Sequence, residues 1–391
     1  MRILTRYILW EMLATFLVTL GSMTVFVFLG LIGKEAVENG LGLGPIVRLL
    51  PYMLPQAMQF AVPGALLLAA TSVYGRVSSS NEIVAIKSLG ISPMTMLWPT
   101  IVLASVVSFG AVVLNDVAVS WGRGGVSRVV LESLEEIAYG RLRTVGSYSN
   151  GRVSVNVRDV VGRRLMGPII SFESANGEGK SLITAEAAEI RVDTTLNAVT
   201  ITLINADAGV SGWDIVHPGE FLRSFPMEDF TGRSMQSQHY AMSEIGATMR
   251  LQTELIQGLK SDMAADAGVA LLFGQLDEIS QAPWDARTGQ MAGAQQTLYR
   301  LGTEPHRRWA SGFSCLAFVL IGAPMAIRRK HGEFWGSFFA CFLPILIVYY
   351  PMLMGTIDRS KDGVLPPESV WLGNLVLAAW GAYLIRKVIR F

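Results

Sequence analysis

The sequence is poor in the residues from which metal sites and disulfide frameworks are built. Only two cysteines and four histidines occur among its 391 residues. The histidines are scattered, without the spacing of metal ligands. Cys315 and Cys341 lie inside apolar runs, where lone cysteines pack as small apolar side chains. We therefore expect no metal, no other cofactor and no disulfide-stapled fold.

Charge is scarce as well, at 16% of residues, whereas 51% are hydrophobic. Soluble domains are usually about 25% charged, so this balance favours a membrane protein. A net charge of +1 argues against a nucleic-acid partner, which would need a broad basic surface. No catalytic triad, zinc-protease motif or carboxylate pair occurs, and Ser174 stands where a phosphate-binding loop ending in Gly-Lys-Ser would need its first glycine. We predict that the chain is not an enzyme by itself.

Six apolar stretches are long enough to cross a bilayer, whose core needs about 20 mostly apolar residues per helix. They cover residues 8–32, 49–74, 95–119, 309–327, 334–354 and 370–385. No cleavage site follows the first stretch, so we predict a retained span and not a signal peptide. About 190 residues without a span separate the third stretch from the fourth. The expected domains are residues 1–120, 121–300 and 301–391.

Basic residues in the short loops predict the orientation, because they accumulate on the cytoplasmic side. With a cytoplasmic N-terminus, ten of them lie inside and four outside. The ten are Arg2, Arg6, Arg76, Lys87, Arg328, Arg329, Lys330, Arg386, Lys387 and Arg390; the four are Lys34, Arg48, Arg359 and Lys361. Both termini are therefore expected in the cytoplasm and the large insert outside it. Arg307 and Arg308, at the outer end of the fourth span, run against the rule.

The first half of the insert alternates apolar and polar residues with the period of a β-strand. A segment "ITAEAAEIRVD" adds a further strand, and turn residues separate the segments, so short antiparallel strands are expected. The second half changes to a helical period, at Leu251, Leu255 and Leu259. The apolar strand positions line either a groove or a plain core: Val153, Val155, Val157, Val199 and Ile201.

The stretch 79–90, between the second and third spans, has the signals of a capped helix. Ser79 and Glu82 have the spacing of a capping box, and Gly90 suits the left-handed position that ends a helix. A helix of about ten residues is predicted. It is either an interfacial helix lying on lipid or a rigid coupling helix that fits a groove on a cytoplasmic motor subunit.

Four segments in order carry a family resemblance: "SNEIVAIKSLGIS", "PQAMQFAVPGALLLAA", "EPHRRWASGFSCLAFVLIGAPMAIRRK" and "VLPPESVWLGNLVLAAWGAYLI". They resemble the coupling loop, second span, fourth-span entry and closing loop with sixth span of the LptF/LptG family of lipopolysaccharide export permeases. The matches cover both membrane halves around the outer insert. Residues 236–290 fit the family pattern poorly and are expected to form extra helices.

The resemblance implies an α-helical membrane protein of six transmembrane helices, three before and three after a periplasmic β-jellyroll-like domain with extra helices. It implies an ATP-driven ABC transporter in the inner membrane that extracts lipopolysaccharide or a related anionic glycolipid. The partners would be a second six-helix permease, a cytoplasmic ABC ATPase pair and a periplasmic bridge protein. The choice between an LptF-like and an LptG-like role, and between a homodimer and a heterodimer, stays open.

Two groups of residues are predicted to contact partners. Glu82, Ile83, Ile86 and Lys87, on the helix that ends at Gly90, would face the ATPase. Lys34, Arg307 and Arg308 would hold an anionic headgroup, because arginine binds phosphate through two hydrogen bonds. For Lys34 ordinary snorkelling is an alternative, and one of the arginines could simply pair with Glu304. The competing function is a membrane-anchored assembly protein whose β domain binds a partner without transport.

Overall fold

The computed structural model describes residues 2–39, 43–123, 125–126, 129, 139–140, 142–143, 145–150, 153–173, 180–193, 198–210, 213–226, 240–274, 282–329 and 334–390. The chain divides into two compact units. One comprises Met1–Gly30, Met53–Gly122 and Ser237–Phe391, and the other Leu31–Tyr52 and Arg123–Gln236. The helical segment that precedes the fourth span therefore belongs to the same unit as the spans. The boundary between the β-rich part and the following part of the chain lies at residue 236, whereas the sequence predicted it at residue 300.

The helices match the expected three-plus-three plan. The first half contains α1 (Arg2–Asn39), α2 (Leu43–Ser79), α3 (Glu82–Ser88) and α4 (Met94–Val117). The second half contains α5 (Met242–Phe273), α6 (Ala282–Arg328), α7 (Phe334–Pro344), α8 (Tyr350–Lys361) and α9 (Leu372–Arg390). Six segments are long and apolar enough to cross a membrane, which confirms the predicted spans: Ile3–Glu35, Ile46–Ser79, Met94–Gly122, Arg287–Arg328, Phe338–Lys361 and Pro367–Arg390.

Three short segments depart from α-helical geometry. A π-helical turn, Ala118–Arg123, continues α4, and another, Ile345–Tyr349, joins α7 to α8. A 3₁₀ turn, Pro367–Trp371, leads into α9. The second π-turn follows Pro344, which has no N–H to donate to the preceding turn. It directs Tyr349 into the core, where the ring meets Phe318 edge-on at a centroid distance of 5.2 Å.

The fourth span is the most buried, with 72% of its apolar window inside the protein. Gly312 lets it approach α4, because a Cβ there would lie 2.4 Å from Cγ2 of Val112. The backbone N–H of Leu316 donates to the Ser108 hydroxyl at 3.1 Å across the same contact. The side-chain amide of Asn374 in α9 donates to the Ala310 carbonyl at 2.7 Å. Small residues and buried polar bonds of this kind hold helices together where lipid removes the hydrophobic driving force.

The contact between α6 and α9 depends on a proline and a glycine. Pro324 lies inside α6 and cannot donate to the carbonyl of Leu320, four residues earlier. Gly381 of α9 packs directly on that carbonyl, since a Cβ at this position would lie 2.8 Å from the Leu320 oxygen and 2.9 Å from its carbonyl carbon. Backbone atoms cannot rotate away, so the approach requires glycine.

The helical segment forms an antiparallel pair of α5 and the first half of α6. Ile245 and Ile256 of α5 and Ala294 of α6 are buried. The Gln252 amide donates to the Ala294 carbonyl at 3.3 Å. The sequence predicted helix here, but α6 begins at Ala282 and continues without a break into the fourth span.

The described part of the β unit contains eight antiparallel strands. They are β1 (Ser147–Asn150), β2 (Val153–Asn156), β3 (Asp159–Val161), β4 (Arg164–Met166), β5 (Ile169–Glu173), β6 (Lys180–Asp193), β7 (Ala198–Val210) and β8 (Trp213–Pro226). The long β6 pairs with β5 and then β4 along one edge and with β7 along the other, and β7 pairs in turn with β8. The three segments that the sequence predicted as strands form β2, β6 and β7. Ser174, considered above for a phosphate-binding loop, lies outside the described residues.

We predict that Gly381→Ala will destabilise the membrane unit. The added methyl group must displace the Leu320 backbone, and such overpacking costs about 1–3 kcal/mol. The measurement is the free energy of unfolding in mixed detergent micelles. Gly110→Ala in α4 is the matched control, since a Cβ there meets no atom within 4 Å. Equal stability of the two variants would contradict the packing argument.

Candidate functional site: the coupling corner and the Arg308 charge cluster

The turn between α2 and α3 is built on the carbonyl of Arg76. The hydroxyls of Ser79 and Ser80 both donate to this oxygen at 2.9 Å. Asn81 then takes a left-handed conformation with φ of 59°, and α3 begins at Glu82. The predicted Ser79 capping box is wrong, because α2 runs on through Ser79 and the residue that precedes α3 is Asn81. Asparagine is one of the few residues that tolerate this conformation.

Gly90 ends the helix region as expected, with φ of 75°. Its N–H donates to the Lys87 carbonyl at 2.9 Å, and the N–H of Ile91 donates to the Ile86 carbonyl at 3.2 Å. The helix itself has only seven residues, shorter than the ten expected. An isolated helix of this length is unstable in water, so α3 depends on packing against the spans.

One face of α3 is turned into the protein. Ile83 is buried in a core cluster with residues such as Tyr74 and Ile327, and Ile86 is half-buried against the same cluster. The Lys87 ammonium group donates to the Val388 carbonyl of α9 at 3.0 Å. Three of the residues expected to face a motor subunit therefore contact the chain's own spans.

The opposite face of α3 and its C-terminal turn are exposed. Val84 is 45% exposed and Leu89 is 74% exposed, with Ala85 and Ser88 beside them. Glu82, at the edge, is half-buried and accepts from the Ser80 hydroxyl at 3.0 Å. Sequence reasoning missed Val84 and Leu89. The helical period places Val84 and Leu89 on a different face of α3 from Ile83 and Ile86, but it does not predict which of the two faces is exposed.

Hydrogen bonds attach this corner to other spans. The Ser78 hydroxyl donates to the Ile327 carbonyl at the end of α6 at 2.8 Å. The Tyr74 hydroxyl lies 2.7 Å from the Met96 carbonyl and donates to it, and it is also 2.7 Å from the Thr100 hydroxyl. We call Tyr74, Arg76, Ser78 and α3 together the coupling corner. It is bonded to α4, α6 and α9.

Arg308 is fully buried, with 1% of its side chain exposed. It donates to Asp116 of α4 at 2.7 Å and to the carbonyl of Tyr240 at 2.5 Å, and its Nε lies 3.9 Å from Glu304. Asp116 also accepts from the backbone N–H of Met242 at 2.9 Å. Arg308 thus fixes the end of α4, the start of α5 and α6 to one another. Its guanidinium is not exposed to a headgroup in the single chain.

The other two predicted headgroup residues are more open. Arg307 forms an ion pair with Glu304 at 2.7 Å and keeps 20% of its side chain exposed. Lys34 is exposed on α1 and belongs to the other compact unit. A pair between one of the arginines and Glu304 is the alternative considered from the sequence, and Arg307 forms it. Part of the Arg307 guanidinium is still exposed.

The described strands of the β unit share a buried apolar cluster. Val155 is 1% exposed and Ile201 is 0% exposed, and Val157 is half-buried against the same cluster. The Tyr139 hydroxyl donates to the Arg163 carbonyl at 2.7 Å, and burial raises the pKa of this phenol. Val153 and Val199 lie in β2 and β7, but their side chains are outside the described set. Two of the five groove candidates are therefore core residues in the single chain.

We predict that Arg308→Met will cost about 1–3 kcal/mol of stability, because half-buried Asp116 and the Tyr240 carbonyl lose their hydrogen bonds to the guanidinium, while buried Glu304 keeps its pair with Arg307. The free energy of unfolding in detergent measures the loss. Arg300→Met, an exposed position two turns earlier in α6, is the matched control and should change it by less than about 0.5 kcal/mol. Similar values for both would show that Arg308 is not the anchor of the cluster.

Comparison with known families produced one match. The family model described as "Lipopolysaccharide export system permease LptF/LptG" matches residues 6–387, nearly the whole chain. A comparison with curated proteins found no match.

Proposed function

The chain belongs to the LptF/LptG family of lipopolysaccharide export permeases, and we propose that it is the membrane subunit of an ATP-driven transporter in the inner membrane. It would extract lipopolysaccharide, or a related anionic glycolipid, and pass it to a periplasmic bridge protein. Both termini would be cytoplasmic and the β unit periplasmic. The observation that carries the proposal is the coupling corner: a short helix held by several spans, with an unpartnered apolar edge.

The energy source in this proposal is a separate pair of cytoplasmic ABC ATPases. Val84 and Leu89 expose apolar side chains, and exposed apolar surface is stabilised when a protein surface covers it. Glu82, beside them, supplies a charge that can fix the docking register. Ile83, Ile86 and Lys87 hold the helix against the spans, and Gly90 ends it. Of the residues predicted from the sequence to contact the ATPase, only Glu82 keeps that role in this proposal, and Val84 and Leu89 are added to it.

A second permease of the same family would complete the transporter. The first span has 11% of its apolar window buried and the fifth span 22%, the lowest values among the six. Their open apolar faces support a seam with the second permease, and the remaining lipid-facing surface would border the extracted lipid. Either a second copy or a related chain satisfies this requirement.

ATP is required because lipid extraction is costly. At about 0.8 kcal/mol per buried CH₂, withdrawing one 14-carbon chain costs on the order of 10 kcal/mol. Apolar walls inside the dimer offset part of this cost. At the outer ends of the spans, Lys34 and the exposed part of Arg307 are candidate headgroup contacts, and Arg308 fixes the part of α6 that carries Arg307.

The β unit would receive the acyl chains. Val155, Val157 and Ile201 are its interior positions, and Val153 and Val199 belong to the same strands by register. Acyl chains would have to displace packed side chains to enter, because Val155 and Ile201 are buried in the single chain. Among the described strands β8 pairs only with β7, so its outer edge can extend into the sheet of a bridge protein by strand addition.

We predict that Glu82→Lys and Leu89→Asp will each reduce the ATPase recovered with the tagged chain by about tenfold or more, because one reverses the charge that fixes the docking register and the other places a charge in the apolar contact. Recovery of the second permease should not change, because the seam lies between spans. The measurement is quantitative copurification in detergent. Asp207→Lys, an exposed charge reversal in the β unit, is the control.

Two other results of that experiment are informative. Unchanged recovery of the ATPase with both variants would contradict docking at α3 and leave the interfacial-helix alternative. Failure of the unmodified chain to recover any ATPase would instead favour an anchored assembly protein that does not transport.

A photoreactive amino acid at Val157 should capture lipopolysaccharide when the assembled complex hydrolyses ATP, because this position borders the β interior. The same group at Val161, which is 63% exposed on β3, should capture several-fold less. Gel analysis of the crosslinked lipid, with and without ATP, measures the difference. Equal capture at both positions would show that acyl chains do not enter through the interior.

A further inference from the structure

The first span carries an acidic residue that makes an ion pair with the coupling corner. Glu11 lies in the first third of α1, and its side chain is 20% exposed. Oε1 of Glu11 forms an ion pair with the guanidinium of Arg76, and Oε2 is buried without a hydrogen-bond partner among the described residues. A carboxylate at this depth of a membrane segment is costly unless paired.

Arg76 is the residue on which the turn into α3 is built. Its carbonyl accepts from both serine hydroxyls and from the N–H of Ser80. Its guanidinium reaches Glu11 and also lies 3.4 Å from the Tyr7 hydroxyl of α1. One residue therefore contacts the first span through its side chain and shapes the coupling turn through its backbone. Displacement of α3 must displace Arg76.

The remaining contacts of α1 with the membrane unit are mostly apolar. Ile8, Met12 and Phe16 form one buried stripe, and the Thr19 hydroxyl lies 3.2 Å from the Ala65 carbonyl, at the long end of a hydrogen bond. Apolar stripes can slide past one another without breaking a directional bond. Arg76 thus provides a charged attachment between α1 and the coupling corner.

The other spans around the corner are held differently. Short hydrogen bonds join it to α4, α6 and α9, as described above, and α6 packs closely on both α4 and α9. These helices form a packed group that is attached to α3. The first span is the least buried of all, and so it is the span most able to move independently of the others.

We propose that the Glu11–Arg76 ion pair transmits displacement of α3 to the first span, and that Glu11 is a positioning residue for lipid transport. This inference rests on the proposed function, because it assigns a role to the span that would border the lipid path. Attraction between the two charges keeps α1 following the corner, while the apolar stripe allows it to slide.

Charge exchange in the assembled complex tests this role. The variants are Glu11→Arg, Arg76→Glu and the double exchange, reconstituted with the ATPase pair and the second permease in lipid vesicles. Each single reversal should lower lipopolysaccharide transfer per ATP hydrolysed by about tenfold, and the double exchange should restore most of it, as for directly coupled residues. Arg386→Glu, an exposed reversal on α9, is the control and should leave the ratio unchanged.

A distance measurement separates transmission from simple stabilisation. Spin labels at Val18 of α1 and Val106 of α4, both exposed in the single chain, report the spacing between these helices. ATP should change this spacing in the unmodified complex and after double exchange, but not with either single reversal. A structural role alone would lower stability without abolishing the ATP-dependent change.

Several outcomes would overturn the inference. These are single reversals that transfer lipid with the normal ratio, a double exchange that stays uncoupled, and single reversals that release the ATPase from the complex. If the unmodified complex shows no ATP-dependent transfer, the proposed function itself fails. That result is distinct from normal transfer by the reversal variants.

Discussion

The burial of Ile83 is the contact on which the membrane unit's proposed mechanism depends. Seven residues cannot maintain a helix in water, so α3 exists because its inner face packs into a cluster to which α1, α2, α4, α6 and α9 all contribute. Folding of the helix and attachment to the spans are consequently one event. A force applied to the outer face cannot be absorbed by unfolding α3 unless that cluster is also opened. A flexible loop of equal length has no such packed face, so it would change shape under the force and would not transmit it to the spans.

The end of the membrane unit around Arg308 is held by charge, whereas the end around α3 is held by apolar packing. Arg308 and Glu304 are both buried, and buried charges are stable only when they are paired. Asp116 of α4 and the carbonyl of Tyr240 accept hydrogen bonds from the Arg308 guanidinium. Neighbouring arginines thus have different environments. Arg308 is buried and joins α4 to the start of α5, while Arg307 pairs with Glu304 and stays partly exposed.

Hydropathy predicted the six spans and alternation predicted the principal strands, because both signals are local and repeated. The errors lie where a decision depends on distant residues. Ser79 has the sequence of a helix cap, but α2 continues through it because Val77 and Ser78 are buried against other spans. Ile83 and Ile86 are apolar whether they face a partner or a core. Asp116 and Arg308 are 192 residues apart, and nothing in the spacing of their neighbours relates them. Tertiary contacts alone resolve such cases.

Helix α6 connects the two ends of the membrane unit. Its 47 residues correspond to a length of about 70 Å at 1.5 Å per residue. Arg308 attaches α6 to Asp116 of α4 and to the carbonyl of Tyr240. The carbonyl of Ile327 attaches α6 to the coupling corner. Pro305 and Pro324 each remove one internal hydrogen bond without ending the helix, and at Pro324 the freed carbonyl of Leu320 becomes the surface on which Gly381 packs. Because α4 and α9 are fitted to this helix through glycine contacts, these three helices are constrained to move as a body. We therefore expect relative motion within the unit in the spans that are packed least against α6. The first span is the least buried of these, and its Glu11 forms an ion pair with Arg76 of the coupling corner.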